Sequence, residues 1–324
     1  MKLKDRYGRW IRDLRISVTP RCNFRCVYCH TLGLSMADPP GTVSVSDVAH
    51  FVRAGAILGA ESVRFTGGEP LVRKELPEMI AAAREAGIED VAITTNAALL
   101  ADRIDELVAA GLKRVNISLD ARDPEVFRRL TRGGRIEKVW EGIEAALSAE
   151  LHPVKLNAVV IRGENDGEIV PLAELTLARP LHMRFIEYMH LNNAPFEEYR
   201  AQFFPGAETR RRIEEAFGPL EPVKTDPSSP ARVYRIPGAM GTVGFINSVS
   251  EPFCAHCSRL RLTADKKLRP CLLTELELDI APAFEAPDPV EALLDAILMG
   301  ADQKPAFGNT LPTKRQRVML GIGG

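Results

Sequence analysis

The fold of this chain is decided by the stretch Arg21-Cys22-Asn23-Phe24-Arg25-Cys26-Val27-Tyr28-Cys29. It follows an apolar, strand-like segment, residues 12–18, and places three thiols on one short loop. Three cysteines this close together point to a metal ion or a metal cluster. Because tetrahedral zinc and cubane iron–sulfur sites usually take four ligands, we expect a substrate or a cofactor to fill the fourth position.

The size and composition of the chain are those of an ordinary globular protein. Its 324 residues, 45% hydrophobic and 26% charged, fit one large α/β domain with a smaller one. The net charge of −1 gives no indication of a nucleic-acid or membrane partner. Residues 1–6 lack the apolar core of a signal peptide, and no run reaches the roughly 18 apolar residues of a membrane span. A cytoplasmic protein is expected.

The cysteines fall into two groups. All six belong to triads, one formed by Cys22, Cys26 and Cys29 and the other by Cys254, Cys257 and Cys271. Disulfide frameworks are typical of short secreted chains, which this is not. Two sites of three thiolates each are therefore favoured over three disulfides.

Strand and helix patterns alternate over the first two thirds of the sequence. Six strand-like runs between residues 12 and 187 are separated by helical patterns, which predicts a parallel sheet with right-handed crossovers. The expected fold class is α/β, a partial (βα)6 TIM-like barrel with a smaller C-terminal α+β domain carrying the second triad. The domains are placed at residues 1–230 and 231–324. Helices are predicted from about Ser46 to Leu58, with Ser46 as N-cap, and over residues 196–217.

Unusual polar residues follow the predicted strands. In barrels of this kind the active site lies at the C-terminal ends of the strands, so these residues predict a pocket rim beside the cysteine loop. The alternative is that Thr, Asn and Asp simply end strands and begin helices. The residues concerned are Gly67-Gly68-Glu69, Thr95-Asn96, Ser118, Asp120, Asn157 and Glu187-Tyr188.

The cysteine loop, read as C-x3-C-x-Tyr-C and followed by Thr66-Gly67-Gly68-Glu69-Pro70, resembles the radical S-adenosylmethionine superfamily. The resemblance implies that the first triad holds a 4Fe-4S cluster whose open iron binds S-adenosylmethionine. It implies that the cofactor is contacted by Tyr28, Gly68, Ser118 and Met189.

The second triad is by itself ambiguous between structural zinc and a second cluster. Its surroundings, residues 257–263 and 268–272, and the final Gly323-Gly324 resemble the GTP 3′,8-cyclase family of molybdenum cofactor biosynthesis. This resemblance runs from about Arg12 to Gly324. It implies a second 4Fe-4S cluster whose open iron faces the guanine of GTP.

The resemblance also implies the reaction and the residues that carry it. GTP would be converted to 3′,8-cyclo-7,8-dihydroguanosine 5′-triphosphate, with the first triad and the tail residues Gly323 and Gly324 in catalytic roles. Arginine and lysine suit a triphosphate because they form charge-assisted hydrogen bonds to it. The implied GTP-binding residues are Arg15, Arg64, Thr95, Lys155, Arg184, Arg259 and Arg261.

The implied partners are a reductase or a flavodoxin/ferredoxin-type electron donor, a downstream cyclic pyranopterin synthase and a second copy in a homodimer. Two alternatives stay open. One is another radical S-adenosylmethionine enzyme with an auxiliary cluster, such as a peptide-modifying one; the other is a non-catalytic iron–sulfur or zinc protein. The sequence departs from the family pattern at His30-Thr31, where Met-Pro is common, and at Ala97, where Gly is common.

Overall fold

A computed structural model describes residues 2–29, 41–311, 313–317 and 319–322. Its first half is a row of six strands, each paired in parallel with the next along the chain. The strands are β1 Asp13–Ser17, β2 Ser62–Thr66, β3 Asp90–Thr95, β4 Arg114–Ser118, β5 Val154–Val160 and β6 Leu181–Glu187. The helices between them are α1 Val45–Ile57, α2 Leu76–Glu85, α3 Ile104–Ala109, α4 Pro124–Thr131, α5 Ile136–Ser148 and α6 Ile169–Glu174. The predicted partial (βα)6 barrel is confirmed.

The rest of the chain extends this sheet at both edges. Its helices are α7 Phe196–Gln202, α8 Gly206–Phe217, α9 Ala281–Phe284, α10 Pro289–Asp302 and α11 Met319–Ile322. Its strands are β7 Glu221–Val223, β8 Arg232–Arg235, β9 Thr242–Ile246, β10 Arg259–Leu262, β11 Lys267–Arg269 and β12 Leu278–Asp279. β9 pairs in parallel with β6, and β10 pairs in parallel with β1. Across the described residues one sheet of twelve strands results, and the division at residue 230 stays a prediction.

Two helices differ from the sequence prediction. The N-cap of α1 is Ser44, not Ser46: its side chain accepts from the Asp47 N–H, and Asp47 reaches back in a capping box. The single helix predicted over 196–217 is wrong, because the chain leaves the helix after α7 and begins α8 after Pro205. Proline lacks the N–H that a continuing helix needs and disfavours helical geometry in the residue before it.

The two faces of the barrel strands carry different residues. Ile16, Phe65 and Ile117 are fully buried in the apolar core that also takes in the surrounding helices. Their neighbours in sequence, such as Arg15 and Arg64, point to the opposite face and line a cavity. The inside of this barrel is therefore a charged, accessible space.

Candidate active site

One cavity of about 300 Å³ lies at the C-terminal ends of the strands and contains both cysteine triads. Most residues predicted for the site line it, whereas Lys155 lies deeper and Gly323 and Gly324 lie outside the described residues. The structure thus brings together residues that are far apart in sequence. The predicted residues on its wall are Arg15, Cys22, Cys26, Tyr28, Cys29, Arg64, Gly68, Thr95, Ser118, Arg184, Met189, Cys254, Cys257, Arg259, Arg261 and Cys271.

The loop that carries the first triad is fixed to the end of β2 by backbone contacts. Gly68 donates its N–H to the Thr19 carbonyl at 2.6 Å, and Glu69 donates to the Arg21 carbonyl at 2.7 Å. A Cβ on Gly68 would lie 2.2 Å from the Arg21 oxygen. Glycine is therefore required here by the approach of the cysteine loop itself, whatever cofactor lies beyond it.

Glu69 is a buried carboxylate that ties β2 to the end of β3. It accepts from the Thr95 hydroxyl at 2.7 Å, from the Asn96 N–H at 2.7 Å and from the Leu71 N–H at 3.0 Å. Burial raises the pKa of Glu69 to about 7, against these hydrogen bonds. The Thr95 hydroxyl is engaged with protein, and its predicted contact with GTP stays a prediction.

Asp120 holds Tyr28 beside the first triad. The Tyr28 hydroxyl donates to Asp120 at 2.6 Å, and the other carboxylate oxygen accepts from the Val159 N–H at 2.8 Å. Burial raises the pKa of Asp120 to about 6. Burial, with Cys22 and Asp120 nearby, raises the pKa of the Cys29 thiol to about 12. The sequence predicted Asp120 on the pocket rim. Its place just after Ser118, at the end of β4, was the only sequence signal that it could hold Tyr28.

A cationic wall faces the triads. Arg15 on β1 lies opposite Arg64 on β2 and opposite Arg261 on β10, so three guanidinium groups lie on neighbouring strands. Burial and the neighbouring arginines lower the pKa of Arg64 to about 9 and that of Arg15 well below its usual range. Arg184 is likewise buried, and desolvation lowers its pKa to about 10. A wall of like charges is costly unless an anion neutralises it.

Lys155 lies one inward-facing position below Asn157 on β5, paired with His182 of β6. Burial, followed by repulsion from Arg184 and Arg114, lowers the pKa of Lys155 to about 6. The lysine is thus at the floor of the cationic wall rather than on the cavity surface.

The second triad is attached to β1 through Asp13. This carboxylate accepts hydrogen bonds from the hydroxyls of Ser62 on β2 and Ser258 before β10. The contacts place Cys257 and Arg259 at the edge of the barrel. Lys304, which belongs to no sequence motif, also lines the cavity there.

The segment before the C-terminal tail is held at the mouth of the cavity. Arg315 exchanges backbone hydrogen bonds with the Asn193 side chain at 2.6 and 2.9 Å. Its buried guanidinium donates to the Leu273 carbonyl at 2.9 Å. Met319, four residues later, reaches the cavity wall. Arg315 stands in a basic run, Lys314-Arg315-Gln316-Arg317, which is typical of a solvated surface, so no motif marks this anchor in the sequence.

The predicted place of Glu187 on the pocket rim is wrong. Its carboxylate accepts from the N–H groups of Gly206 at 2.8 Å and of Val249 and Ser250 at 2.9 Å. It therefore organises the loops that follow β6 and β9. A strand-end carboxylate can face the cavity or the connecting loops, and sequence position does not distinguish the two.

The donor set of each triad fits an iron–sulfur cluster with an open position. All six cysteines are free thiols and none pairs as a disulfide within the described residues. Each triad presents three sulfurs to the shared cavity, the ligand type that iron–sulfur clusters take. Cations lie beside the second triad and buried carboxylates beside the first, so the two sites differ in charge.

Comparison with known protein families agrees with this arrangement. The model of the Radical SAM superfamily matches residues 16–176, and that of Molybdenum Cofactor Synthesis C matches residues 181–309. A GTP 3′,8-cyclase of Pelotomaculum thermopropionicum is 45% identical over 99% of this chain and 100% of its own length. The chain belongs to the GTP 3′,8-cyclase family. A GTP 3′,8-cyclase of Heliobacterium modesticaldum is 43% identical over 99% of each chain.

Among solved structures, the chain resembles Streptococcus suis SuiB bound to S-adenosylmethionine. The TM-score is 0.59 at 18% identity, covering 89% of this chain and 68% of that one. At this identity the likeness concerns the fold alone. Membership in the cyclase family confirms the resemblance seen in the sequence and makes the chain a radical S-adenosylmethionine enzyme, against the non-catalytic alternatives. In the part of the chain that the structure describes, no helix is long and apolar enough to cross a membrane.

Proposed function

We propose that this chain converts GTP to 3′,8-cyclo-7,8-dihydroguanosine 5′-triphosphate, the first step of molybdenum cofactor biosynthesis. Its cofactors are S-adenosylmethionine and two 4Fe-4S clusters. The observation that carries the proposal is the opening of both triads onto one cavity with a cationic wall. Such a cavity can hold a sulfonium cofactor and a nucleoside triphosphate side by side.

Cys22, Cys26 and Cys29 are proposed to bind the first cluster. When bound, that cluster supplies the electron for reductive cleavage of S-adenosylmethionine. Four further residues are proposed to hold the cofactor, all of them on the cavity wall near this triad: Tyr28, Gly68, Ser118 and Met189. Asp120 orients Tyr28 through its short hydrogen bond.

The cationic wall is proposed to bind the triphosphate. Arg15, Arg64, Arg184 and Lys155 face the barrel interior, and the buried Nε of Arg64 has no hydrogen-bond partner within the described residues. A buried donor without an acceptor is unfavourable by about 1–3 kcal/mol, more for a charged group. Phosphate oxygens would supply that acceptor and neutralise the repulsion among these cations.

Arg259 and Arg261 are proposed to hold the base and sugar beside the second triad. Both side chains are buried on the inner face of β10, next to Cys257. Arg259 also donates to the Ser228 carbonyl at 3.0 Å, which orients its guanidinium. Cys254, Cys257 and Cys271 would then bind a cluster whose open iron faces guanine. Thr95 is proposed to contact GTP from the opposite side of the cavity.

The tail residues Gly323 and Gly324 are proposed to enter the site and complete it. The support is the anchoring of the preceding segment through Arg315 and the position of Met319 on the cavity wall. A closed cavity keeps water and other groups away from reactive species, which is what a reaction of this type requires.

The remaining partners are also proposals. Each turnover consumes two electrons, one to cleave S-adenosylmethionine and one to reduce the cyclised nucleotide radical, so a reductase or a flavodoxin/ferredoxin-type protein must deliver them. The cyclic product is proposed to pass to a cyclic pyranopterin synthase. A homodimer and a cytoplasmic location complete this set.

The decisive experiment is anaerobic incubation of the iron-loaded protein with S-adenosylmethionine, a chemical reductant and GTP. We expect 5′-deoxyadenosine and the cyclic nucleotide in equal amounts, and about eight irons per chain from two clusters. The double variant Arg259→Ala with Arg261→Ala should lose cyclic product while still binding S-adenosylmethionine. The exposed Arg53→Ala is the matched control. Cofactor cleavage without any GTP-dependent product would favour the peptide-modifying alternative.

A further inference from the structure

Lys304 is a buried lysine at the second triad with no assigned part in the reaction. It follows α10 and is only 2% exposed. Its ammonium donates to the carbonyl of Arg259 at 2.7 Å and to that of Pro270 at 2.6 Å. These acceptors lie two residues after Cys257 and one residue before Cys271, so the lysine joins the two arms of the triad.

Lys304 and Cys257 line the same cavity, and the Arg259 carbonyl that Lys304 binds lies two residues after Cys257. An ammonium group has three N–H donors and no lone pair. The two carbonyls take two of these donors, and the third is available to a sulfur of the neighbouring triad.

The short segment that begins at Lys304 reaches the other two cysteines as well. The Gly308 N–H points at the Cys254 sulfur at 3.4 Å, and a Cβ on Gly308 would lie 3.3 Å from the Cys271 sulfur. Arg9 fixes this segment, donating to the carbonyls of Pro305 at 2.7 Å and Ala306 at 3.0 Å. Lys304 is thus held in place by a built cradle.

The two triads lie in opposite electrostatic surroundings. Lys304, Arg259 and Arg261 are buried cations that line the cavity with the second triad. At the first triad the buried charged neighbours are the carboxylates of Glu69 and Asp120. Positive charge and N–H···S hydrogen bonds near a cluster stabilise its reduced form, because reduction adds negative charge.

We propose that Lys304 raises the reduction potential of the iron–sulfur cluster at the second triad through its positive charge, which its hydrogen bonds hold between Cys257 and Cys271. This rests on the proposed function in one respect, namely that the second triad holds such a cluster. Lys304 is a positioning and tuning residue in this proposal, since it binds the backbone beside two of the cluster ligands and not the substrate.

The test is a potentiometric titration of the anaerobic, iron-loaded full chain, followed by electron paramagnetic resonance. The second-cluster signal is identified as the one that remains when Cys22, Cys26 and Cys29 are all replaced by serine. Lys304→Met should shift the one-electron equilibrium at least tenfold toward the oxidised form, a fall of about 59 mV or more. The first-cluster potential should not change. In Lys304→Arg and in the exposed control Lys224→Met, the reduction potential of the second cluster should equal that of the unmodified protein within error.

An unchanged second-cluster potential in Lys304→Met would overturn the proposal. If that variant binds only half the iron, Lys304→Gln is titrated in its place with the same criterion. Loss of the second cluster from both neutral variants but not from Lys304→Arg would support a required charge. Loss from Lys304→Arg as well would overturn the proposal, because size and not charge would then matter. Absence of the second signal from the unmodified protein would instead contradict the proposed function.

Discussion

Arg15 of β1 and Arg64 of β2 are paired in register, so two guanidinium groups lie side by side on the inner wall of the barrel. The charged groups that act most strongly on Arg64 are the cations Arg114, Arg184 and Arg259, followed by the carboxylate of Asp13. In a ligand-free protein this pair works against folding. Its persistence on the wall of a nucleotide cavity is best explained by an anionic ligand.

The first prediction is that Arg64→Met makes the ligand-free protein more stable but weakens its binding of GTP. The melting temperature of the ligand-free, iron-loaded protein should rise because like-charge repulsion is relieved. Affinity for GTP should fall about 10- to 100-fold, the equivalent of one charged hydrogen bond of about 1.5–3 kcal/mol. Calorimetry and thermal unfolding measure the two quantities. Arg53→Met, at an exposed position of α1, should leave both unchanged. Unaltered GTP affinity in Arg64→Met would place the triphosphate elsewhere.

The second prediction concerns pH and Lys155. Burial and nearby arginines lower the pKa of Lys155 from 10.5 to about 6. Between these values the unfolded chain binds a proton that the folded chain does not, so the free energy of unfolding increases as pH rises. Urea unfolding at pH 7, 8 and 9 should show this rise, and Lys155→Met should reduce its slope. Saturating tripolyphosphate should also reduce the slope, because the bound anion stabilises the ammonium form of Lys155 in the folded chain.

Lys224→Met serves as the control for that experiment, because Lys224 is exposed. Its slope should match the unmodified protein. Identical slopes for the unmodified protein and Lys155→Met would mean that Lys155 stays protonated in the folded chain.

The third prediction is that Gly68→Ala loses the first cluster and keeps the second. The added Cβ would lie 2.2 Å from the Arg21 carbonyl, which must move and take the cysteine loop with it. Iron content should fall by about half, and the resonance signal of the first cluster should disappear. Gly167→Ala is the matched control, because a Cβ there meets nothing within 4 Å. Full iron content in Gly68→Ala would show that the loop can adjust.

The fourth prediction explains the departure from the family pattern at Ala97. This residue is fully buried with a φ of 60°, a left-handed conformation that glycine adopts freely. Ala97→Gly should relieve about 1–2 kcal/mol of backbone strain. The same change should lower the free energy of unfolding by about 0.8 kcal/mol, because a buried methyl group is removed. It should lower it by a further 0.4–1 kcal/mol, roughly, because glycine makes the unfolded chain more flexible. The two effects nearly cancel, so stability should change by less than about 1 kcal/mol.

Ala54→Gly is the comparison, because Ala54 is equally buried but helical. It should destabilise by about 1–2 kcal/mol, since it loses both helix propensity and methyl burial. Denaturant unfolding measures both variants. Equal losses at the two positions would mean that Ala97 is not strained.

The sequence predicted the architecture well because alternation and cysteine spacing are local signals. Six βα units and both triads follow from patterns within short windows, whereas the meeting of the triads in one cavity was implied only by the resemblance to the cyclase family. The break before α8 was missed because the amphipathic pattern continues across Pro205. Glu187 was misplaced because a strand end does not say which way its side chain turns.

Lys304 and Arg315 were missed for a different reason. Each acts through carbonyl groups contributed by distant segments, such as Pro270 for Lys304 and Leu273 for Arg315. Lys304 is a single basic residue with no motif around it, and Arg315 is one of several basic residues in the run 314–317; both resemble surface charges until the fold is known. For Asp120 the sequence predicted the position, at the pocket rim. It did not predict the hydrogen bond to Tyr28, which depends on the fold.

The contact between Asp13 and Ser258 joins residues 245 positions apart. During synthesis on the ribosome, β1 therefore keeps one unpaired edge until nearly the whole chain has emerged, and β10 closes it only then. The cradle of the second triad, which uses both Arg9 and Lys304, forms later still. Insertion of the second cluster into this cradle must follow the emergence of α10 and of the segment after it, so the maturation machinery meets an almost complete polypeptide. Early termination of translation would leave an open parallel sheet edge, the kind of surface that promotes aggregation.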